Sequence, residues 1–251
     1  MYSSKLEQEA LCDRFCELVV SHKKYSTVGK LKRHLEYFFG NNPLTNAKVL
    51  DIGGGQGLLT LYSAVNGADG VCLEPEFSGS TSGMIESFHR LKEELDFIPG
   101  TAEMEVSTFQ EYESQEQFDY IILANSINHL DEETTIRLQE DQVAYETYLG
   151  YFRKMYELLK SGGHVIITDC DRVNFFNYIG MKSPFMPSIE WEKHQSPFFW
   201  CAMAEQVGFE KVSVRWTSPN SLGFFGRAFM GNRFASYFLL SHFRLEVRKV
   251  G

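Results

Sequence analysis

The sequence predicts an α/β fold: a doubly wound, mostly parallel sheet of seven strands, with helices at its N-terminus and a long insertion after the fifth strand. Three observations carry this. Short apolar runs alternate with stretches of helical periodicity, the pattern of parallel βαβ units. Those runs are continuous rather than alternating, as strands buried on both faces are. The first run ends in a cluster of glycines, where a strand turns into a helix and the backbone can approach a ligand closely. With 251 residues, 43% of them hydrophobic, the chain holds enough apolar surface for one medium domain.

Residues 1–44 read as a helical cap and residues 45–251 as the sheet domain. Leu11, Phe15, Leu18 and Val19 form one apolar face, and Leu31, Leu35, Phe38 and Phe39 another, both at helical spacing. Ser26 or Thr27 stands where an N-cap belongs, and Gly40-Asn-Asn-Pro43 ends the second helix. Strands are expected at Ala47–Ile52, Gly70–Glu74, Glu103–Val106, Phe118–Ala124 and His164–Thr168. Helices are expected over Leu58–Asn66, Thr81–Leu95 and Glu132–Leu159, the last stopped by Ser161-Gly-Gly163. A helix over Phe198–Val207 and strands at Lys211–Trp216 and Tyr237–Val247 complete the pattern. Strand six should run the same way as the earlier strands. The insertion, about residues 170–197, is longer than ordinary connections and leaves the carboxyl end of strand five, where open α/β sheets bind ligands.

Composition excludes several classes. Acidic residues outnumber basic ones, 33 to 24, so the formal net charge is −9 and a broad nucleic-acid surface is not expected. From Lys211 onward the balance reverses: seven Lys or Arg stand against Glu246 alone, which suits a local anionic partner. Cys12, Cys16, Cys72, Cys170 and Cys201 are odd in number and scattered, so a reducing, cytoplasmic setting fits better than a disulfide framework. No run of 18 apolar residues predicts a membrane span. No His, Cys, Asp or Glu cluster has ligand spacing, and no metal is expected. Oligomeric state is not legible.

The glycine segment is the most informative stretch. Val49-Leu-Asp51-Ile-Gly53-Gly54-Gly55-Gln-Gly57 departs from the G-x-G-x-x-G spacing of dinucleotide sites. Asp51 just before the loop would repel a phosphate but attract an ammonium group, so a zwitterionic amino-acid ligand fits better than a pyrophosphate. Glu74, closing strand two, can accept hydrogen bonds from both hydroxyls of a ribose.

These residues resemble the class I S-adenosylmethionine-dependent methyltransferases, over roughly Lys48 to Val247. The resemblance rests on the glycine segment, on Glu74, on Phe118-Asp-Tyr-Ile-Ile-Leu-Ala-Asn-Ser-Ile-Asn-His-Leu130, and on Leu158-Leu-Lys-Ser-Gly-Gly-His-Val-Ile-Ile167. It implies a Rossmann-like fold, S-adenosylmethionine as cofactor and S-adenosylhomocysteine as product. It also implies roles by position. Asp51 with the backbone of Gly53, Gly54, Gly55 and Gly57 would hold the methionine end. Glu74 would take the ribose, and Asn125 and Ser126 would lie beside the sulfonium. Where the family often carries an acidic residue for the adenine amine, this chain has Ser107-Thr-Phe-Gln110, so Phe109 stacking and a Gln110 hydrogen bond take its place. The tail Phe234–Val247, with Ile189-Glu-Trp-Glu-Lys-His-Gln195, looks like that of small-molecule methyltransferases of sugar or natural-product type.

Methyl transfer to a hydroxyl needs alignment and a base. The Asn/Asp-Pro-Pro-Tyr/Phe motif of many amino-group methyltransferases is absent after strand four, which favours an O-methyltransferase with a small-molecule acceptor. His129, after strand four, and His194, in the insertion, are the candidate bases, the latter with Glu190 to orient it. Asp169 and Asp171 are fallbacks. Asp171, Arg172, Trp191, Lys193, Arg227 and Arg233 are candidate acceptor contacts, the arginines for phosphate or carboxylate. Two other readings remain open. The Gly53-Gly54-Gly55 run resembles the loop of polyamine synthases, hence an aminopropyltransferase; and a non-catalytic S-adenosylmethionine-binding protein would keep the same loop.

Overall fold

The computed structural model describes residues 5–40, 42–75, 83–95, 98–217 and 229–251. The chain divides into two compact units, residues 1–114 with 118–122, and residues 115–117 with 123–251. A single seven-stranded sheet has the order β3-β2-β1-β4-β5-β7-β6.

In the first unit, β1 (Lys48–Ile52) pairs in parallel with β2 (Asp69–Leu73) and with β4 (Phe118–Ala124), and β3 (Thr101–Glu105) adds to β2. Val49, Leu50, Asp51 and Ile52 are all buried, which is why this run shows no polar alternation. The strand order reverses between β1 and β4, the position at which open α/β sheets place their ligands. Helices α3 (Leu58–Val65) and α4 (Met84–Glu93) follow the first two strands.

The N-terminal helices α1 (Lys5–Ser21) and α2 (Val28–Phe39) belong to the same unit and pack on α3. Phe15 and Phe39 lie with ring centroids 5.8 and 5.4 Å from that of Tyr62. Thr27 is the cap of α2: its Oγ1 accepts from the Lys30 amide. The expected face of α2 is fully buried. That of α1 is shifted: Phe15, Cys16 and Val19 are buried, while Leu11 and Leu18 are half-buried.

In the second unit, β5 (Leu159–Cys170) pairs antiparallel with β7 (His242–Lys249), which pairs antiparallel with β6 (Phe209–Trp216). Two reversals leave β6 running with β5, as expected, and make β7 the antiparallel member. Helix α8 (Pro197–Val207) buries Trp200 against Tyr148 and Phe152 of α6 (Gln142–Leu158), at centroid distances of 5.4 and 6.2 Å. The insertion carries only a short helix, α7 (Phe175–Tyr178), and a 3-10 turn at Trp191–Lys193.

Three expected elements are corrected. The single helix over 132–159 is two, α5 (Glu132–Arg137) and α6, because Asp141 caps the second by accepting from the Val143 amide at 2.8 Å. Ser161-Gly-Gly163 does not end a helix but lies inside β5, whose start Lys249 secures by donating to the Leu159 carbonyl. The apolar run from Tyr237 is not strand from its first residue. Tyr237 and Phe238 close a helix, α9 (Arg233–Phe238), whose Asn232 cap accepts from the Ala235 amide; an apolar run this short does not distinguish helix from strand by periodicity. Among the described residues, no helix is long and apolar enough to cross a membrane.

The packing of α1 yields a first test. Phe15→Ala empties a fully buried ring site against Tyr62 and should cost about 3–5 kcal/mol, read as a lowered midpoint in urea unfolding.

Candidate active site

Two groups of side chains, one in each unit, stand out. In the first, the chain leaves β1 at Ile52 and turns through Gly53–Gly57 into α3. Asp51 is completely buried. One oxygen, Oδ2, accepts from Thr60 Oγ1 at 2.9 Å, while Oδ1 has no hydrogen-bond partner. Burial pushes the carboxyl up to about 7, with the nearby Glu74 charge adding to the rise. A Cβ on Gly54 would stand 2.5 Å from Cys72 Sγ and 2.6 Å from Asp51 Oδ2, so only glycine lets the loop close over the carboxylate. Gly55 has φ +58 and open space on its side-chain direction, leaving room for a ligand beside the loop backbone. Gly53 and Gly57 also have positive φ, 65 and 67.

Glu74, just past β2, is buried and accepts from the Gly55 amide through Oε2 at 2.8 Å. Its carboxyl too is raised by burial, with the Gly55 hydrogen bond opposing the shift. The structure therefore brings Asp51, Gly55 and Glu74 together. An orphaned buried acceptor, an open backbone turn and a second carboxylate suit a ligand with an ammonium group at one end and hydroxyl donors at the other. Phe109 is 2% exposed and fills the core of this unit, so its ring has no free face for stacking.

In the second unit, the carboxyl ends of β4 and β5 carry the polar groups. Asn125 adopts φ +56, a left-handed conformation that asparagine tolerates better than most residues; its amide donates to Thr168 O, and its Oδ1 lies 2.9 Å from His242 Nε2. Ser126 is buried beside it. Asp169, near the end of β5, is 1% exposed. Its Oδ1 accepts from the Cys170 amide at 2.8 Å and lies 2.9 Å from His194 Nδ1, while Oδ2 has no partner. The imidazole of His194 is 14% exposed.

Glu190 does not orient His194. It is exposed and bound by Lys193 at 2.8 Å, and Lys193 also bridges to Glu132 at 2.8 Å. Held between two carboxylates, Lys193 has its charge already matched. His129 joins this surface cluster through Glu132 at 2.5 Å. Trp191 lies half-buried in the 3-10 turn between them. Asp171 is buried and pushed up to about 6 by burial, despite accepting from the Val173 amide. Arg172 donates to Gln195 Oε1 at 3.4 Å, Arg233 stacks over Phe198 at 4.8 Å, and Arg227 lies outside the described residues.

The residue that sequence reasoning undervalued is Asp169. Two aspartates flank Cys170 at the strand end, but only the fold shows that the first meets an imidazole 25 positions away. His242 was concealed in the same way, inside a run read as strand.

A family model for a methyltransferase domain matches residues 23–214, and the chain belongs to that family. It is an enzyme of the S-adenosylmethionine-dependent methyltransferase class. A search of curated proteins finds no significant match. Solved structures similar in fold include one from Listeria monocytogenes assigned to the S-adenosylmethionine-dependent methyltransferases, at 12% identity and TM-score 0.58, covering 87% of this chain and 97% of that one. The N-methyltransferase NodS of Bradyrhizobium japonicum aligns at 13% identity and TM-score 0.53, over 88% and 97%. The magnesium protoporphyrin IX methyltransferase ChlM of Synechocystis, with bound S-adenosylmethionine, aligns at 12% and 0.53, over 88% and 78%. At these identities the likeness is one of fold.

The geometry around Glu74 gives the second test. Glu74→Ala removes a charged acceptor and the tie to the Gly55 amide, and should weaken S-adenosylhomocysteine binding about tenfold or more by calorimetry. Unchanged affinity would remove Glu74 from the site.

Proposed function

We propose that the protein is an O-methyltransferase that methylates a hydroxyl of a small sugar or natural-product-type acceptor, with His194 as general base and Asp169 as the residue that orients it. The pairing of His194 with the buried Asp169 carries this reading. A carboxylate only accepts, so Asp169 fixes the Nδ1–H tautomer and leaves the Nε2 lone pair of His194 for a proton.

S-adenosylmethionine, when bound, supplies an electrophilic methyl group on its sulfonium. Asp51 Oδ1 is the acceptor for the ammonium group, the loop from Gly53 to Gly57 lines the methionine end, and Glu74 takes the ribose hydroxyls. Asn125 and Ser126 are assigned to the sulfonium side. The acceptor hydroxyl gives its proton to His194 Nε2 as the new carbon–oxygen bond forms, and Asp169 stabilises the resulting imidazolium. His129 is not assigned this task, because its imidazole is 55% exposed and pairs with Glu132 on the surface. Asp171, Arg172 and Arg233 are assigned to the acceptor.

The base assignment predicts that His194→Ala lowers turnover by about 10²–10⁴-fold at saturating donor and acceptor. Asp169→Asn should also slow turnover without changing S-adenosylhomocysteine affinity, and His129→Ala should leave it near normal. A normal rate in His194→Ala would refute the assignment.

The raised Asp51 carboxyl predicts a pH dependence of donor binding. Only its ionised form pairs with an ammonium group, so S-adenosylhomocysteine affinity should rise as pH passes through about 7, and Asp51→Asn should abolish that rise. The stability of the ligand-free protein moves the opposite way. The group prefers its neutral form in the folded state, so its contribution is full below the ordinary carboxylate range and is lost as pH rises through about 7. Thermal unfolding with and without S-adenosylhomocysteine across this range checks both signs.

A further inference from the structure

A polar cavity in the second unit is continuous with an exposed aromatic surface. The cavity, about 390 Å³, has Arg172, Asn174, Asn177, Tyr178, Ser196 and Tyr237 in its walls. Arg172 is half-buried there. Its hydrogen bond to Gln195 is long and to a neutral group, and among the described residues no carboxylate comes within ion-pair distance. Neighbouring Asp171 feels the charges of Arg172 and Arg233, but its Oδ1 accepts from the Val173 amide and it forms no ion pair with Arg172. The planar fork of a half-buried guanidinium that lacks an ion-pair contact fits a carboxylate or phosphate.

From the Tyr237 wall a chain of rings leads outward. Tyr237 contacts Phe238 at 4.9 Å, and Phe238 contacts Phe234 at 5.3 Å. On the other side Phe175 meets Phe238 at 5.4 Å, Phe176 continues from Phe175 at 5.4 Å, and Phe185 follows at 6.3 Å. Much of this ridge faces solvent: Phe234 is 77% exposed, Phe185 47% and Phe238 40%, and Tyr178 at the cavity wall is 84% exposed. Contiguous exposed rings of this kind mark a surface that meets an apolar partner.

We propose that the methyl acceptor is an anionic amphiphile, with its carboxylate or phosphate on Arg172 and its apolar chain along the ridge from Tyr237 to Phe234. The cavity supplies the polar donors for a hydroxylated head, and the ridge supplies an apolar face that begins at its Tyr237 wall. This inference rests on the reading of the second unit as the acceptor side.

The test is calorimetric titration of the full chain with decyl phosphate, decanoate, decyl glucoside and inorganic phosphate, each below its micelle concentration. At least one of the two decyl anions should bind about tenfold or more tighter than both the neutral glucoside and inorganic phosphate, and which one does so identifies the anion. Arg172→Ala should erase the preference over the glucoside. Phe234→Ser with Phe238→Ser should erase the preference over inorganic phosphate. Both variants should keep S-adenosylhomocysteine affinity, which shows that they fold. Equal binding of the glucoside, equal binding of inorganic phosphate, or indifference to Arg172→Ala overturns the proposal. So does tight binding to phosphatidylglycerol vesicles that needs the phenylalanines but not Arg172, which would make the ridge a membrane contact. The probes undergo no methyl transfer. Failure of the His194 assignment would leave these affinities intact, and failure here would leave the turnover loss of His194→Ala in place.

Discussion

A carboxylate with no solvent exposure at the end of a central strand is the constraint around which the first unit is arranged. Burying Asp51 unpaired would be expensive, and the fold offsets only part of that cost. Thr60, one turn into α3, satisfies one oxygen, and the loop between them is short enough to make this contact only because Gly54 has no side chain. The other oxygen is left over. The strand, the tight turn and the start of the helix thus converge on one carboxylate with a single oxygen satisfied by the protein. Glu74 extends the arrangement sideways, since its bond to the Gly55 amide couples the end of β2 to the same turn.

The second unit repeats the device with a different completion. Asp169 also sits buried at the carboxyl end of a strand, with one oxygen bonded and the other without a partner. Here the bonded oxygen meets an imidazole as well as a backbone amide. Asp51 leaves one oxygen without a partner at the end of β1, whereas Asp169 has an imidazole already beside it. One strand-end aspartate suits binding, the other suits proton transfer.

Much of this was legible in the sequence. The apolar runs of β1 and β4 could not belong to a half-exposed sheet, and the glycines between β1 and α3 marked the tight turn. The placement of Asp51 and Glu74 beside that turn was legible because it is set by local chain geometry. The misreadings share one cause. Side-chain caps such as Asp141 and Asn232 start helices where hydrophobic periodicity shows no boundary, and the interior of β5 tolerates glycines that look like a stop. The partner of His194 was illegible for another reason. Glu190 is near in sequence but lies on the exposed rim of the 3-10 turn, where Lys193 captures it, while Asp169 is distant in sequence and is brought close by the return of the insertion.

That return also explains how an insertion so poor in regular structure can hold a side chain in a defined place. Its ends are anchored by buried polar contacts rather than by a helix or strand of its own. Asn174 caps α7 and its Nδ2 donates to Ser241 Oγ at 2.6 Å, tying the outgoing arm to the segment before β7. Gln195, fully buried, donates to Thr135 O at 3.1 Å and accepts from Gln139 at 2.7 Å, tying the returning arm to α5 and the turn that follows it. His194 is the residue immediately before that second anchor. Between the anchors the chain carries exposed residues such as Tyr178, Met181 and Phe185, which make no comparable polar ties. Fixing the ends in this way holds His194 in place while side chains such as Tyr178 and Phe185 between them stay exposed.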